Sequence, residues 1–459
     1  MKSLYCLCYN DLTIILYLGN GGIFTIKRPV LFSSCSGPYR KSQIYFILDG
    51  ILINAAIILT TGVFMSGYMI HLGASDFLIG IINNAPSWAL IISVFSSVIY
   101  ERMEYRKNLL ITLDVMSRIF ICSIVFLPLI FKNTKIAVML AASMVIIGNI
   151  LWGIYSTGVT VWMFSLVPAK KRANYIYARM FYLRISFTIT TILMGTLLDR
   201  FNKNYVGFLT VFMVSLILSL IDAILLSRTE EPPNRVNKEH TIKFSQFLSP
   251  LKDAEYSKFL LFVFLFFLSL TISSSFTSLY HIRYLKLSYS FISFVNVLNY
   301  IAMIACTKFW GRVEEKKGIQ FVLGITGIIV LFEFFIYNFL TTKTYFLLFL
   351  SSVIAGIGNS GFNISIVTYR YDLIPESNKT LYEGWYGAAH GISTILGPII
   401  GNKIMNSLPR IQNAVYEYSN FQLLYLISFI MGITVFVFMF YIPKKINYTW
   451  NYTKNYKKD

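Results

Sequence analysis

Phe77–Tyr100 reads FLIGIINNAPSWALIISVFSSVIY, the charged stretch Glu101-Arg102-Met103-Glu104-Tyr105-Arg106-Lys107 follows, and Leu109–Phe131 then reads LLITLDVMSRIFICSIVFLPLIF. A run of about twenty apolar residues at a rise of ~1.5 Å per residue matches the hydrocarbon thickness of a bilayer. Two such runs joined by a short basic loop are two bilayer crossings, and the pattern recurs through the chain. The expected fold is an all-α membrane protein.

Working outward from that hairpin, twelve runs reach crossing length. The first half gives Ile44–Met69, Phe77–Tyr100, Leu109–Phe131, Ile136–Met163, Tyr177–Leu198 and Tyr205–Leu226. The second gives Phe259–Leu279, Phe291–Phe309, Ile319–Leu340, Tyr345–Tyr369, Thr380–Lys403 and Phe421–Ile442. The longest polar stretch, Ser227–Tyr256, carries Glu230-Glu231-Pro232-Pro233 and mixed charge, and it separates the two sets as a linker would. The organisation expected is an N-terminal arm over 1–43, cytoplasmic or interfacial, a six-helix bundle over 44–226, and a cytoplasmic linker over 227–256. A second bundle over 257–443 and a basic cytoplasmic tail over 444–459 complete it. Within the arm, Leu12–Ile26 is apolar but short, broken by Asn20-Gly21-Gly22, and lacks a small-residue cleavage site, so it reads as an interfacial or irregular arm rather than a signal peptide.

Composition excludes several classes. The 459 residues are 56% hydrophobic and 13% charged, more apolar surface than a soluble chain of this size keeps from water. The net charge of +19 would suggest nucleic acid in a soluble protein, but here the basic residues sort by loop. With the N-terminus inside, and residues at span ends counted with the adjoining loops, 29 of the 40 Lys and Arg residues fall on the inner side and nine on the outer; Arg118 and Arg184 lie deeper within spans. That bias puts both termini in the cytoplasm of a plasma-membrane protein and needs no anionic partner. Cys6, Cys8, Cys35, Cys122 and Cys306 are scattered, as are His71, His240, His281 and His390. No metal site, catalytic triad or phosphate loop assembles from them, so no cofactor is expected and the chain does not read as an enzyme. The sequons at Asn363, Asn378, Asn447 and Asn451 read as chance matches in an Asn-rich chain.

The halves echo each other. Gly311-Arg312-Val313-Glu314-Glu315-Lys316-Lys317 after the eighth span repeats the Arg, Glu and basic pair of Glu101–Lys107 after the second. Leu166-Val167-Pro168 with Lys170-Lys171-Arg172 follows the fourth span, and Leu373-Ile374-Pro375 with Lys379 follows the tenth. Two matches at equivalent loops indicate a parallel six-plus-six repeat.

On these residues the chain resembles a major facilitator superfamily transporter over Ile44–Ile442. The loop after the second span is similar to that family's signature, roughly G-x-x-x-D-R-x-G-x-R, with Glu101 for the Asp, Arg102 for the Arg and Arg106 for the last basic residue. Ser97 and Glu104 replace its two glycines, and in the second half Arg312 and Lys316 match while Gly311 replaces the acid. Leu72–Gly80 resembles the first outer loop of a broad group of bacterial permeases in the same superfamily. The resemblance implies two pseudo-symmetric six-helix bundles, and a path for a small solute lined by helices 1, 4, 7 and 10. It also implies gating at the signature loops.

Charge inside a bilayer is costly, so each intramembrane ionisable residue is a functional candidate. Asp114 and Arg118, four apart in the third span, share a face and either neutralise each other or serve coupling. Arg184 has no acid within a turn and needs a partner from another helix, lipid, water or substrate. Asp222, expected at the interface near Arg228, Glu333 in a peripheral ninth span, and His390 in the eleventh complete the coupling candidates. Polar stripes run along three spans: Asn149, Trp152, Ser156 and Thr160; Thr271, Ser274, Ser275 and Ser278; Ser352, Gly356, Asn359 and Asn363. The first span offers Asn54 with Thr61. Such stripes line a hydrated cavity or glue helices together. The function expected is a monomeric secondary transporter of a small solute, among membrane lipids, working by alternating access and open to proton coupling. A polytopic membrane enzyme and a transport-dead sensor or scaffold are the rival readings.

Overall fold

The computed structural model describes residues 5–8, 13–18, 22–27, 35, 37–101, 103–168, 172–233, 248–375, 379–413 and 415–438. Strands β1 (Tyr5–Cys8), β2 (Thr13–Leu18) and β3 (Gly22–Lys27) come first and pair antiparallel in that order, with Leu16 opposite Cys6 on one side and Phe24 on the other. This corrects the expectation of an irregular arm. Ile14, Ile15, Ile23, Thr25 and Ile26 are β-branched and suit strands.

Twelve helical spans follow among the described residues. In the first half α1 is Arg40–His71, α2 is Asp76–Asn83 continued by Ala85–Glu101, and α3 is Lys107–Ile130. Then come α4 (Thr134–Leu166), α5 (Arg172–Arg200) and α6 (Tyr205–Ser227). In the second half they are α7 (Ala254–Tyr284), α8 (Tyr289–Lys317), α9 (Ile319–Tyr337), α10 (Leu347–Leu373), α11 (Lys379–Ser407) and α12 (Ser419–Phe436). Ten of these are long and apolar enough to cross a membrane by that measure alone; α2, interrupted at Asn84, and the more polar α11 are the other two. Helices are the form an apolar span must take, because a backbone in hydrocarbon has to satisfy its own hydrogen bonds. Their starts are marked in the sequence. The side chains of Ser75, Asn133, Asn204, Asp253 and Ser288 accept hydrogens from the first free backbone N–H groups of α2, α4, α6, α7 and α8.

The segment Gly311–Lys317, expected as a loop, is the last two turns of α8. The helix stops at Gly318, whose φ of +86° suits only glycine and whose N–H closes on the Glu314 carbonyl. The central linker is also less free than its composition suggests. Glu231 accepts hydrogen bonds from the backbone of Arg106 (2.6 Å) and Lys107 (3.0 Å), capping α3 where the helix dipole favours an anion. Glu230 joins in, its carbonyl accepting from the Trp162 indole at 3.0 Å and its N–H donating to Ser42.

Within the first half α1 packs on α5 and α6, and α4 on α2 and α3; within the second α7 packs on α11 and α12, and α10 on α8 and α9. The halves meet along α2 with α11 and α5 with α8. Large apolar side chains such as Leu129, Met139, Leu193, Val206, Ile301 and Phe309 face outward, as a lipid-bathed surface requires. One end of the molecule gathers the described residues 101, 103–107, 166–168, 172, 227–233, 248–254 and 311–319, and is called the basic face below; the other is the far face.

Candidate substrate cavity and buried charge cluster

Three helices break at the same level. α1 is interrupted at Thr60-Thr61, where Gly62 has φ +53°, and the Thr60 and Thr61 hydroxyls donate back to the Ile57 carbonyl. α2 breaks at Asn84, and α7 at Ser275-Phe276. The breaks are stitched together. The Asn83 amide donates to the Ser275 carbonyl at 3.0 Å, the Asn84 amide to the Ser275 hydroxyl at 2.5 Å, and Ser66 to Asn83 at 2.8 Å. Interrupted helices deep in a transporter expose backbone groups where a polar ligand binds.

Beside these breaks lies a cavity of about 240 Å³ between the halves. α1 contributes Thr61, Gly62 and Phe64, α5 Phe187 and Thr191, and α7 Thr277, Ser278 and His281. The far wall comes from Asn296 and Asn299 of α8, Glu333 and Tyr337 of α9, and Ser351 and Ser352 of α10. Its single carboxylate is Glu333, and no Lys or Arg lines it among the described residues. The His281 Nε2 is buried without a hydrogen-bond partner.

The far face is sealed by contacts between the halves. Asp76 of α2 pairs with Arg283 of α7 and accepts from the Tyr284 hydroxyl, and Arg283 also donates to the Ala74 carbonyl at 3.0 Å. Asp199 of α5 caps the start of α8, accepting from the backbone of Tyr289 (2.9 Å) and Ser290 (2.7 Å) and from the Ser290 hydroxyl (2.6 Å). Lys203 reaches the Leu287 carbonyl at 3.1 Å, and Ser293 the Thr191 carbonyl at 3.0 Å. Neither Asp76 nor Asp199 stood out in the sequence, because an acid at a span end is ordinary for a loop.

The sequence candidates divide by place. Asn54 ties α1 to the Leu183 carbonyl of α5 at 2.9 Å. On α4, Asn149 donates to Val145, Ser156 to Gly153 and Thr160 to Ser156, so this stripe largely satisfies its own helix and does not reach the cavity. Trp152 instead lies under the Arg118 guanidinium at 4.3 Å. Ser275 serves the helix breaks, Ser274 is exposed and Asn359 half-buried; neither Ser274 nor Asn359 lines the cavity. Asn363 is exposed nearer the basic face. Arg184, half-buried, lies close to Tyr300 of α8, one turn toward the basic face from Phe187. His390 meets the Phe267 ring edge-on at 4.2 Å. Arg106 is buried at the start of α3, whereas Arg312 and Lys316 are exposed. Arg102 and the side chains of Glu101 and Lys379 lie outside the described residues.

Two placements overturn expectations. Glu333, expected on a peripheral helix, is on the cavity wall, because α9 turns that face inward between α7 and α10. Asp222, expected at the interface, is fully buried in the N-terminal bundle beside Asp49 of α1 and Asp114 of α3. Asp114 and Arg118 are neighbours, at 3.9 Å. Asp49 and its partner Arg179 (3.2 Å) were missed, although Asp49 is an acid inside an apolar span and the rule that singled out Asp114 applies to it equally. Arg179 was hidden by its place near the start of a span, where it reads as loop charge.

A model of the Major Facilitator Superfamily matches residues 47–340 and 260–454. The chain belongs to that superfamily. Solved structures of other members share its fold at low identity. The nucleoside transporter NupG superposes with a TM-score of 0.63 at 15% identity, over 87% of this chain and 98% of that one. A D-xylose–proton symporter gives 0.66 at 15%, over 88% and 98%. A bacterial homologue of the iron transporter ferroportin, in an inward-facing state, gives 0.64 at 13%, over 88% and 98%. A search of curated protein sequences found no match. As a facilitator-superfamily member, the chain is a multi-pass membrane protein with a transporter's fold.

Proposed function

We propose that this chain is a secondary active transporter that moves a small polar solute by alternating access of the two six-helix halves, with the basic face in the cytoplasm. One observation carries the reading: a polar cavity between the halves, beside three broken helices and closed toward the far face. The solute binds among Thr61, His281, Asn296, Asn299 and Glu333. A wall with a carboxylate and no cation favours a neutral or cationic solute over an anionic one. Arg184, one turn nearer the basic face, supports a second reading in which an anionic or zwitterionic solute is met on the way out. The N-terminal bundle's acids and His390 remain the candidates for coupling to a proton gradient.

Uptake into reconstituted vesicles, with and without a proton gradient, tests the reading against panels of cationic, neutral and anionic solutes. Uptake that saturates and is competed by amines or polyols supports it. No solute flux in a folded, correctly inserted protein would favour the sensor or enzyme readings. Orientation is tested separately: cysteines placed within 234–247 should resist impermeant labelling in intact cells, and efficient labelling would invert the topology.

A further inference from the structure

The N-terminal bundle holds three carboxyl groups against two guanidinium groups. Asp49, Asp114 and Asp222 are each at most 1% exposed. Arg179 of α5 lies across α1 at Gly50, where a side-chain carbon would fall 2.9 Å from its Nε, and it donates to Asp49 and to the Phe46 carbonyl. Arg118 of α3 is stacked on Trp152 and faces Asp114. Asp222 of α6 has no cation of its own. It neighbours Asp49 and Asp114 where α6 packs on α1 and α3, and among the described residues no N–H or O–H group donates to either of its buried oxygens. The other titratable neighbours are Tyr155 on α4, Tyr175 on α5 and Cys122 on α3, and none of them is a cation.

Three ionised carboxylates here would leave one net negative charge in the middle of a bundle. Ionised carboxylates only accept hydrogen bonds, so two of them in contact repel unless a proton lies between them. A metal ion does not fit: no group of three acidic, His or Cys side chains is placed to hold one among the described residues, and the two guanidinium groups would repel it.

We propose that the N-terminal bundle binds one proton at Asp222, which donates it to Asp49 or Asp114. The cluster is then neutral, with one carboxylic acid, two carboxylates and two guanidinium ions. The site is distinct from the cavity, because none of these residues lines it. It is mechanically joined to it, because α1 and α5 carry Asp49 and Arg179 at one level and Thr61, Phe187 and Thr191 of the cavity wall at another. A shift of α5 along α1 that parted Arg179 from Asp49 would call for a second proton. The proposal rests on charge and geometry, and holds whether or not transport is proton-driven.

Infrared spectroscopy of the purified full chain in H₂O and D₂O tests it, in a Glu333→Gln background so that the cavity acid is silent. At neutral pH the parent should show one isotope-sensitive protonated-carboxyl C=O band. Asp222→Asn and Asp49→Asn each leave two acids for two guanidinium groups and should abolish it. Arg179→Gln should roughly double it, since a second acid loses its cation. Thermal unfolding run alongside shows which variants fold, and either Asp→Asn variant alone suffices. A parent without the band, or a band that survives in a folded Asp→Asn variant, overturns the proposal.

Discussion

The two bundles fill the same place with opposite chemistry. Asp222 is the eighteenth residue of α6, and the eighteenth residue of α12 is Phe436. Asp114, eighth in α3, corresponds to Thr326 in α9, and Asp49, tenth in α1, to Val263 in α7. Where the N-terminal bundle gathers acids and guanidinium groups, the C-terminal bundle packs rings edge-on or tilted: Phe436 lies 5.5 Å from Phe262 and 5.2 Å from Phe266, and Phe362 is 4.8 Å from Phe266. Its own ion pair, Arg370 with Glu383 at 3.0 Å, is partly exposed near the basic face. The fold therefore does not need charge at this position, since an apolar cluster holds three helices together equally well. Replacing a buried ion cluster by apolar groups is often neutral or stabilising, so the N-terminal charges stand for something other than stability.

The comparison can be broken at several points. The largest effect should come from the ring cluster, where packing alone is at stake. Phe436→Ala should cost about 3–5 kcal/mol, read as a fall in unfolding midpoint, with residual transport per folded molecule unchanged. A small loss would mean that the rings are dispensable.

Arg179→Gln comes next. A buried acid stripped of its cation costs about 3–5 kcal/mol while it stays ionised, but Asp49 escapes by taking up a proton. The destabilisation should therefore be clearly smaller at pH 6 than at pH 8, when unfolding is followed at both. Equal losses at the two values would assign Arg179 a purely steric role.

In the cavity, Glu333→Gln should reduce uptake of a cationic solute by about 10- to 100-fold, the worth of a charge-assisted hydrogen bond of roughly 1.5–3 kcal/mol. Stability should change little. Arg184→Gln should leave that uptake nearly intact. If instead Arg184→Gln abolishes transport, Arg184→Lys partly restores it, and Glu333→Gln is silent, the anionic reading replaces the cationic one.

The smallest effects concern the two ends. Asp199→Ala removes the contacts from α5 to the start of α8 and should raise labelling of a cavity cysteine from the far side. Glu101→Gln, at the signature loop, should raise it from the basic face. A surface ion pair is generally worth only about 0–1 kcal/mol, so the second shift should be the lesser. No shift in either variant would remove its residue from gating, because only contacts that differ between states move the equilibrium.

Much of this was legible in the sequence. Run length and loop charge give twelve spans and two halves because the bilayer imposes both, and N-cap residues such as Asn133 and Asn204 mark starts by local chemistry. Partners between helices were not legible. Nothing in spacing brings Asp49 to Asp222, or turns Glu333 toward α8 rather than lipid, since rotation of a helix about its axis is set by neighbours far away in sequence. The polar stripes were a partial guide: Thr61, Ser278 and Ser352 line the cavity, and the α4 stripe does not. On α4 the hydroxyls serve their own carbonyls, and the cavity took its asparagines from α8, where Ser290, Ser293, Asn296 and Asn299 recur every three residues, a stripe passed over in the sequence.

Glu231 sits at the end of the first bundle, yet its carboxylate holds down the start of α3, far back along the chain. The boundary between the halves, drawn by composition at Ser227, is therefore drawn by contact after Glu231. Anyone wishing to express the halves as separate polypeptides, or to splice a reporter between them, has a rule to follow. A cut at Arg228 strands the clasp on the wrong fragment and leaves α3 uncapped, whereas a cut beyond Pro233 lets the first bundle keep its own fastening.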